Sequence, residues 1–336
     1  MAQGFHSDFD PAPVGAALGL ALLSGFAAGV AMTGGVAGWW PIGAWWGAMR
    51  QVHGHIQLFG FTALFVLGVG SFFLPRARGA PLAFPAMLPW IAAALGGGVL
   101  LRAVSQLALA LAATAGGAAN GFRVGFALSG VLETGGILAM VVLMSTTFRR
   151  GPALATRIHL HAVLPLLAAA FTSLAAATIL SAAGAIGAAR AGSALVDARV
   201  DRVCVELMIF GFALPATQAV SVQTFPLFLR LPAPTHFAVR VFAACYLASA
   251  ATLLLGIGIG IGHVEGAGAL GVSASLIGLT LLLDVLTRRR PAWVVARLPM
   301  APGDSRRPTR PGLPDRGEYG RFEWLIYGAY AWQTLG

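Results

Sequence analysis

The sequence predicts an all-α fold: a polytopic transmembrane helix bundle with eight spans, the start of a ninth, and a parallel four-helix repeat. Three observations carry this. Of the 336 residues, 57% are hydrophobic and only 10% are charged, where a soluble domain carries roughly 25% charge. The apolar runs are each long enough to cross a hydrocarbon core of ~30 Å. The arginines gather at the ends of those runs and in one late segment, so the net charge of +10 follows the loops. That distribution belongs to cytoplasmic loops at a lipid bilayer and argues against a nucleic-acid partner.

Taken in order, the spans fall near 14–36, 53–75, 84–112, 122–147, 159–186, 203–226, 238–262 and 268–287. The N-terminal MAQGFHSDFDPAP has no basic leader, so the first apolar run is expected to remain as a helix. Between the first two spans, Trp39, Trp40, Trp45 and Trp46 suit an interfacial aromatic belt. Arg76, Arg78, Arg149, Arg150, Arg157, Arg230, Arg240 and Arg288 to Arg290 mark one side of the membrane. That excess puts the N-terminus in the cytoplasm and His53 at the outer face. The stretch 291–320 reads as an Arg/Pro-rich cytosolic linker, and 321–336 as the start of a ninth helix inside which the chain stops. The two cysteines, Cys204 and Cys245, lie in different spans and predict no disulfide framework.

An internal echo divides the membrane part into repeats at 1–150 and 151–290. Residues 56–78 align with 207–229 at an offset of 151, matching Phe59-Gly60-Phe61 to Phe210-Gly211-Phe212, Val69 to Val220 and Pro75 to Pro226. An offset of four crossings makes the copies parallel. In this alignment His53 and His55 become Cys204 and Glu206, which are also metal-ligating side chains.

The chemistry concentrates at His53 and His55. Imidazole is the commonest metal ligand and a haem-iron ligand, and an ionisable group at a membrane edge faces protein, water or a cofactor. Two residues apart on a helix, the rings point about 200° from each other and cannot chelate one metal. His53 shares a face with Gln57, and His55 with Phe59. One imidazole then holds haem iron or copper while the other serves a second site, a propionate or the lipid interface; the plainer reading makes both interfacial polar residues. His159 and His161 repeat the spacing at the inner start of the fifth span, read as ligands or as solvated residues beside a basic loop. His263 and Glu265 lie on the same side as His53, Cys204 and Glu206, and would add to an outer metal site there. His236 and His6 read as loop residues. Inside the bundle, Glu133 is either protonated or paired with Arg102 on the adjacent antiparallel helix; alternatively Arg102 anchors a haem propionate. Glycine, at 44 residues, is read as helix-contact material rather than phosphate loops.

At HGHIQLFGFTALFVLGVGSFFLPR the chain resembles the NnrS family of polytopic membrane proteins, which are associated with haem, copper and bacterial responses to nitric oxide. RFEWLIYGAYAWQTLG and VELMIFGFALPATQAVSVQTFPLFLR resemble later helices of that family. The resemblance implies haem, with copper as a second metal, held at His53 and His55. It implies nitric oxide or a similar diatomic as ligand, a bacterial inner membrane as location, and further helices beyond this chain. A second similarity is to subunit I of haem-copper oxidases and nitric oxide reductases, where HGHxxxFG also opens a helix. That family needs an adjacent His-His pair, which this chain lacks. The rival expectations are an oxidoreductase of that kind and a transporter.

Overall fold

The computed structural model describes residues 10–115, 119–152, 158–228, 233–285 and 326–331. The described residues are helical with no strand, and eight of the helices are long and apolar enough to cross a membrane. These are α1 (Ala12–Val36), α2 (Trp45–Arg78), α3 (Pro85–Ala112), α4 (Asn120–Arg150), α5 (Leu160–Ala191), α6 (Ala198–Phe225), α7 (His236–Ile259) and α8 (Gly262–Leu282). The protein is an all-α, multi-pass membrane protein. The linker at 291–320 lies outside the described residues, and of 321–336 only 326–331 is described, as helix.

Three starts differ from the sequence expectation, the first two for the same reason. α2 begins at Trp45 rather than 53, α6 at Ala198 rather than 203, and α8 at Gly262 rather than 268. Polar residues (Arg50, Gln51 and His53 in α2; Arg199, Asp201 and Arg202 in α6) depress hydropathy without breaking the helix. Asp197 caps α6, its carboxylate accepting from the backbone N–H groups of Arg199 and Val200. At the other end α2 runs through Pro75 to Arg78 and stops at Gly79, whose φ of 65° is the left-handed conformation a C-terminal cap requires. His236 is likewise the first residue of α7 and not a loop residue.

The chain divides into two compact units. The first comprises Met1–Thr156 and Ala168–Pro215; the second comprises Arg157–Leu167 and Ala216–Gly336. This differs from a cut at 150, because α5 and α6 each contribute most of one end to the first unit. Two close contacts explain it. A Cβ on Gly130 of α4 would lie 2.8 Å from the Ala182 backbone of α5, and Gln51 of α2 bonds Val196 just before α6.

Within the first unit, α3 and α4 pack along their length, and glycine sets their register. Gly98 lies against Ser129 and Glu133, Gly125 against Ser105, and Gly136 against Ile91 and Leu95. Small residues bring backbones together where lipid supplies no hydrophobic driving force. In the second unit α7 and α8 form a hairpin through Gly260, with φ of 76°. Any side chain on Gly256 or Gly268 would meet the backbone of the facing helix.

The FGF echo coincides with a local change of helix type. Ile56–Ala63 and Leu207–Ala213 are both π-helical, they begin 151 residues apart, and they pack against each other. Such wide turns are uncommon and occur often at functional sites. The hydroxyl of Thr62 donates to the Gln57 carbonyl at 2.8 Å inside the first of them.

Candidate functional site

The site lies in the first unit, where α2, α3, α5 and α6 surround a cavity of about 300 Å³. α2 supplies Arg50, Gln51, Gly54, His55 and Phe59; Arg102, Ser181, Asp201, Arg202 and Cys204 come from the other three helices. The helical period explains the grouping. Gln51, His55 and Phe59 are successive positions four apart on one face of α2, and Arg102 and Gln106 share a face of α3.

His55 is buried, and its Nε2 lies 2.7 Å from Oε2 of Glu133 on α4. Its ring stacks on Phe59 with centroids 4.4 Å apart and planes 21° from parallel. With the carboxylate accepting, the proton sits on Nε2 and Nδ1 keeps a lone pair. His53 turns to the other side, where its Nδ1 lies 2.9 Å from the Gly25 carbonyl of α1. Since a carbonyl only accepts, Nδ1 carries the proton, and in the neutral imidazole Nε2 is the lone-pair nitrogen. The expected divergence of the two rings is therefore met, with a different neighbouring helix for each.

Arg102 does not pair with Glu133. Its Nη1 donates to Ser181 Oγ at 2.7 Å, its Cζ lies 5.5 Å from the Phe126 ring centroid, and its Nε–H has no partner among the described residues. Glycine register is the reason. Gly98 sits level with Ser129 and Glu133, so Arg102, one turn further along α3, passes Glu133 and leaves it to His55. Oε1 of Glu133 is also without a partner among the described residues.

Beside this pair Gln51 acts as a strap. Its Nε2 donates to the Val196 carbonyl at 2.9 Å, and its Oε1 accepts from Val196 N–H at 3.0 Å and from Gln106 Nε2 at 2.8 Å. Sequence reasoning missed Gln51, Gln106, Ser181 and Asp201. Helical spacing held the signal: Gln51 is four before His55, Gln106 four after Arg102, and Asp201 three before Cys204.

The remaining candidates scatter. Cys204 is buried and donates Sγ–H to the Ala177 carbonyl at 3.7 Å, while Glu206 is half-buried in the same helix. His161 is exposed and meets Arg240 Nη2 at 2.7 Å through its Nδ1; the side chain of His159 lies outside the described residues. His263 and Glu265 open α8 in the second unit, whereas His53, Cys204 and Glu206 belong to the first. Among the described residues no three His, Cys, Asp or Glu side chains come together as a metal-ligand group.

The donors suit haem or a single metal ion in part. A ligating histidine ordinarily gives its second nitrogen to a carbonyl or carboxylate, and both His53 and His55 have that arrangement. The partly open space beside His55 is at the small end of ligand pockets, fitting a metal ion with a small ligand or a carboxylate arm rather than a whole macrocycle. Compared with models of known protein families, with curated proteins and with solved structures, the chain matches none.

Proposed function

We propose that this is a haem-binding protein of the bacterial inner membrane that takes part in the response to nitric oxide, with copper as a second metal. The observation that carries the reading is the state of the two imidazoles. Each has one nitrogen tied by a hydrogen bond and the other left with a lone pair, as a preformed ligand requires. The resemblance of HGHIQLFGF to the NnrS family supplies the identity of the cofactor. Haem held there would supply the iron chemistry that binds nitric oxide.

The chain's own residues have separate tasks in this reading. His53 and His55 would hold metal on opposite faces of α2, so they serve two centres and not one. The carboxylate of Glu133 fixes the tautomer of His55, and Phe59 holds the ring plane. Arg102 offers a guanidinium to a propionate or another anion in the cavity. By the arginine distribution the His53 end faces the periplasm.

The test is a visible spectrum of the purified full chain from cells well supplied with porphyrin. A Soret band is expected, with most of it lost in His53→Ala or His55→Ala while the protein remains inserted. A colourless preparation, or full Soret intensity in both variants, overturns the reading. A redox titration of the same sample counts centres, since turnover of nitric oxide or oxygen needs at least a second one.

A transporter reading draws on a different observation: His55, Glu133, Arg102 and Asp201 place titratable groups around a cavity in a membrane bundle. It predicts substrate uptake by liposomes containing a protein without Soret absorption.

A further inference from the structure

The most heavily buried cation of the first unit keeps an unmatched donor. Arg102 is only 2% exposed; its Nη1 donates to Ser181, while the Nε–H on its cavity-lining side chain has no partner among the described residues. Leaving a guanidinium donor unmatched at membrane depth is costly, and such groups ordinarily face a pathway or a ligand. The walls add to its charge. Arg50 and Arg202 line the same cavity as exposed residues, with the carboxylate of Asp201 among them and that of Glu133 behind His55. Three guanidiniums against these two carboxylates, two at the exposed rim and one buried, leave a positive excess that draws an anion inward.

Size and shape narrow the class. A cavity of about 300 Å³ admits a molecule of a few heavy atoms with some water. The planar fork of arginine matches an anion with two coplanar oxygens better than a spherical ion. We propose that this cavity is a binding site for a freely diffusing small planar oxyanion, of the carboxylate or nitrite kind, seated on Arg102. The same chemistry could reach Arg102 as the carboxylate arm of a larger cofactor, and the test separates the two sources. The site is argued from the cavity alone and does not depend on haem.

The experiment titrates the detergent-solubilised full chain with sodium formate or sodium nitrite at constant ionic strength, reading heat of binding and unfolding temperature. Chloride, a spherical anion without coplanar oxygens, is the comparator. Saturable binding of formate and nitrite is expected, at least tenfold tighter than that of chloride, with affinity at least tenfold weaker in Arg102→Gln. Because that variant removes a buried side chain, Gly54→Leu gives a second reading. Gly54 lines the cavity with open space where its side chain would stand, so leucine fills the chamber and leaves Arg102 untouched. It too should weaken binding tenfold or more, while Arg240→Gln in the second unit should not change it. No saturable binding, or equal binding in the Arg102 and Gly54 variants, overturns the site. Preparations with and without a Soret band are titrated separately. Binding in both supports a free anion, whereas binding only without the band assigns the seat to a cofactor carboxylate and sinks the proposal.

Discussion

Helices α1 and α2 on one side, α5 and α6 on the other, share a backbone plan and carry different side chains. In the first pair His53 reaches back to the Gly25 carbonyl; 151 residues later Cys204 reaches back to the Ala177 carbonyl, one residue from the equivalent position. Gly60 leans on Leu20 and Val99, and its counterpart Gly211 leans on Ser173. Both second members carry a π-helical stretch at the FGF sequence. The divergence is in what faces the interior: one copy presents two imidazoles, of which His55 is held by a buried carboxylate, and the other presents a thiol and a carboxylate. A common frame has been kept while its chemistry was placed on one copy.

The sharpest way to break the comparison is at Glu133. Its removal in Glu133→Ala leaves His55 buried without its carboxylate partner, and the expected loss is on the order of 3 kcal/mol in unfolding experiments in detergent. Glu133→Gln, which keeps a hydrogen-bond acceptor, should lose less; equal losses in the two would show that the charge is immaterial. Next come the paired glycines. A Cβ on Gly211 would lie 2.6 Å from Ser173, and one on Gly60 would lie 3.1 Å from a Val99 methyl. Gly211→Ala should therefore cost about 2 kcal/mol and Gly60→Ala about 1 kcal/mol. The reverse order would mean that the two copies pack differently from the description above. Smallest is Cys204→Ala, which gives up a long 3.7 Å sulfur contact and should shift stability by about 1 kcal/mol or less. A loss comparable with that of Glu133→Ala would place unrecognised chemistry on the second copy.

Much of the fold was legible because hydropathy reports lipid exposure directly, and all eight spans were found in order. The errors cluster where a helix is amphipathic at its polar end, as at Arg50 to His53 and Arg199 to Arg202. There a hydropathy window sees an edge while the backbone continues. The divergence of His53 and His55 was legible since it needs only the helical period. The partner of Glu133 was not. Choosing between Arg102 and His55 depends on how far α3 slides along α4, a matter of a single turn set by Gly98, Gly125 and Gly136. Nor could the sequence divide the chain at Ala168 and Pro215, because that division follows contacts such as Gly130 on Ala182.

The wide turns at Ile56–Ala63 and Leu207–Ala213 have a further consequence. Bonding five residues apart instead of four holds one more residue in the turn, so each stretch amounts to an ordinary helix with a single residue spliced in. Removing that extra residue restores a uniform helix without rotating the parts above and below it. A chain shortened by one position in both stretches would keep the two segments in step, whereas a deletion in only one would leave them mismatched where they touch.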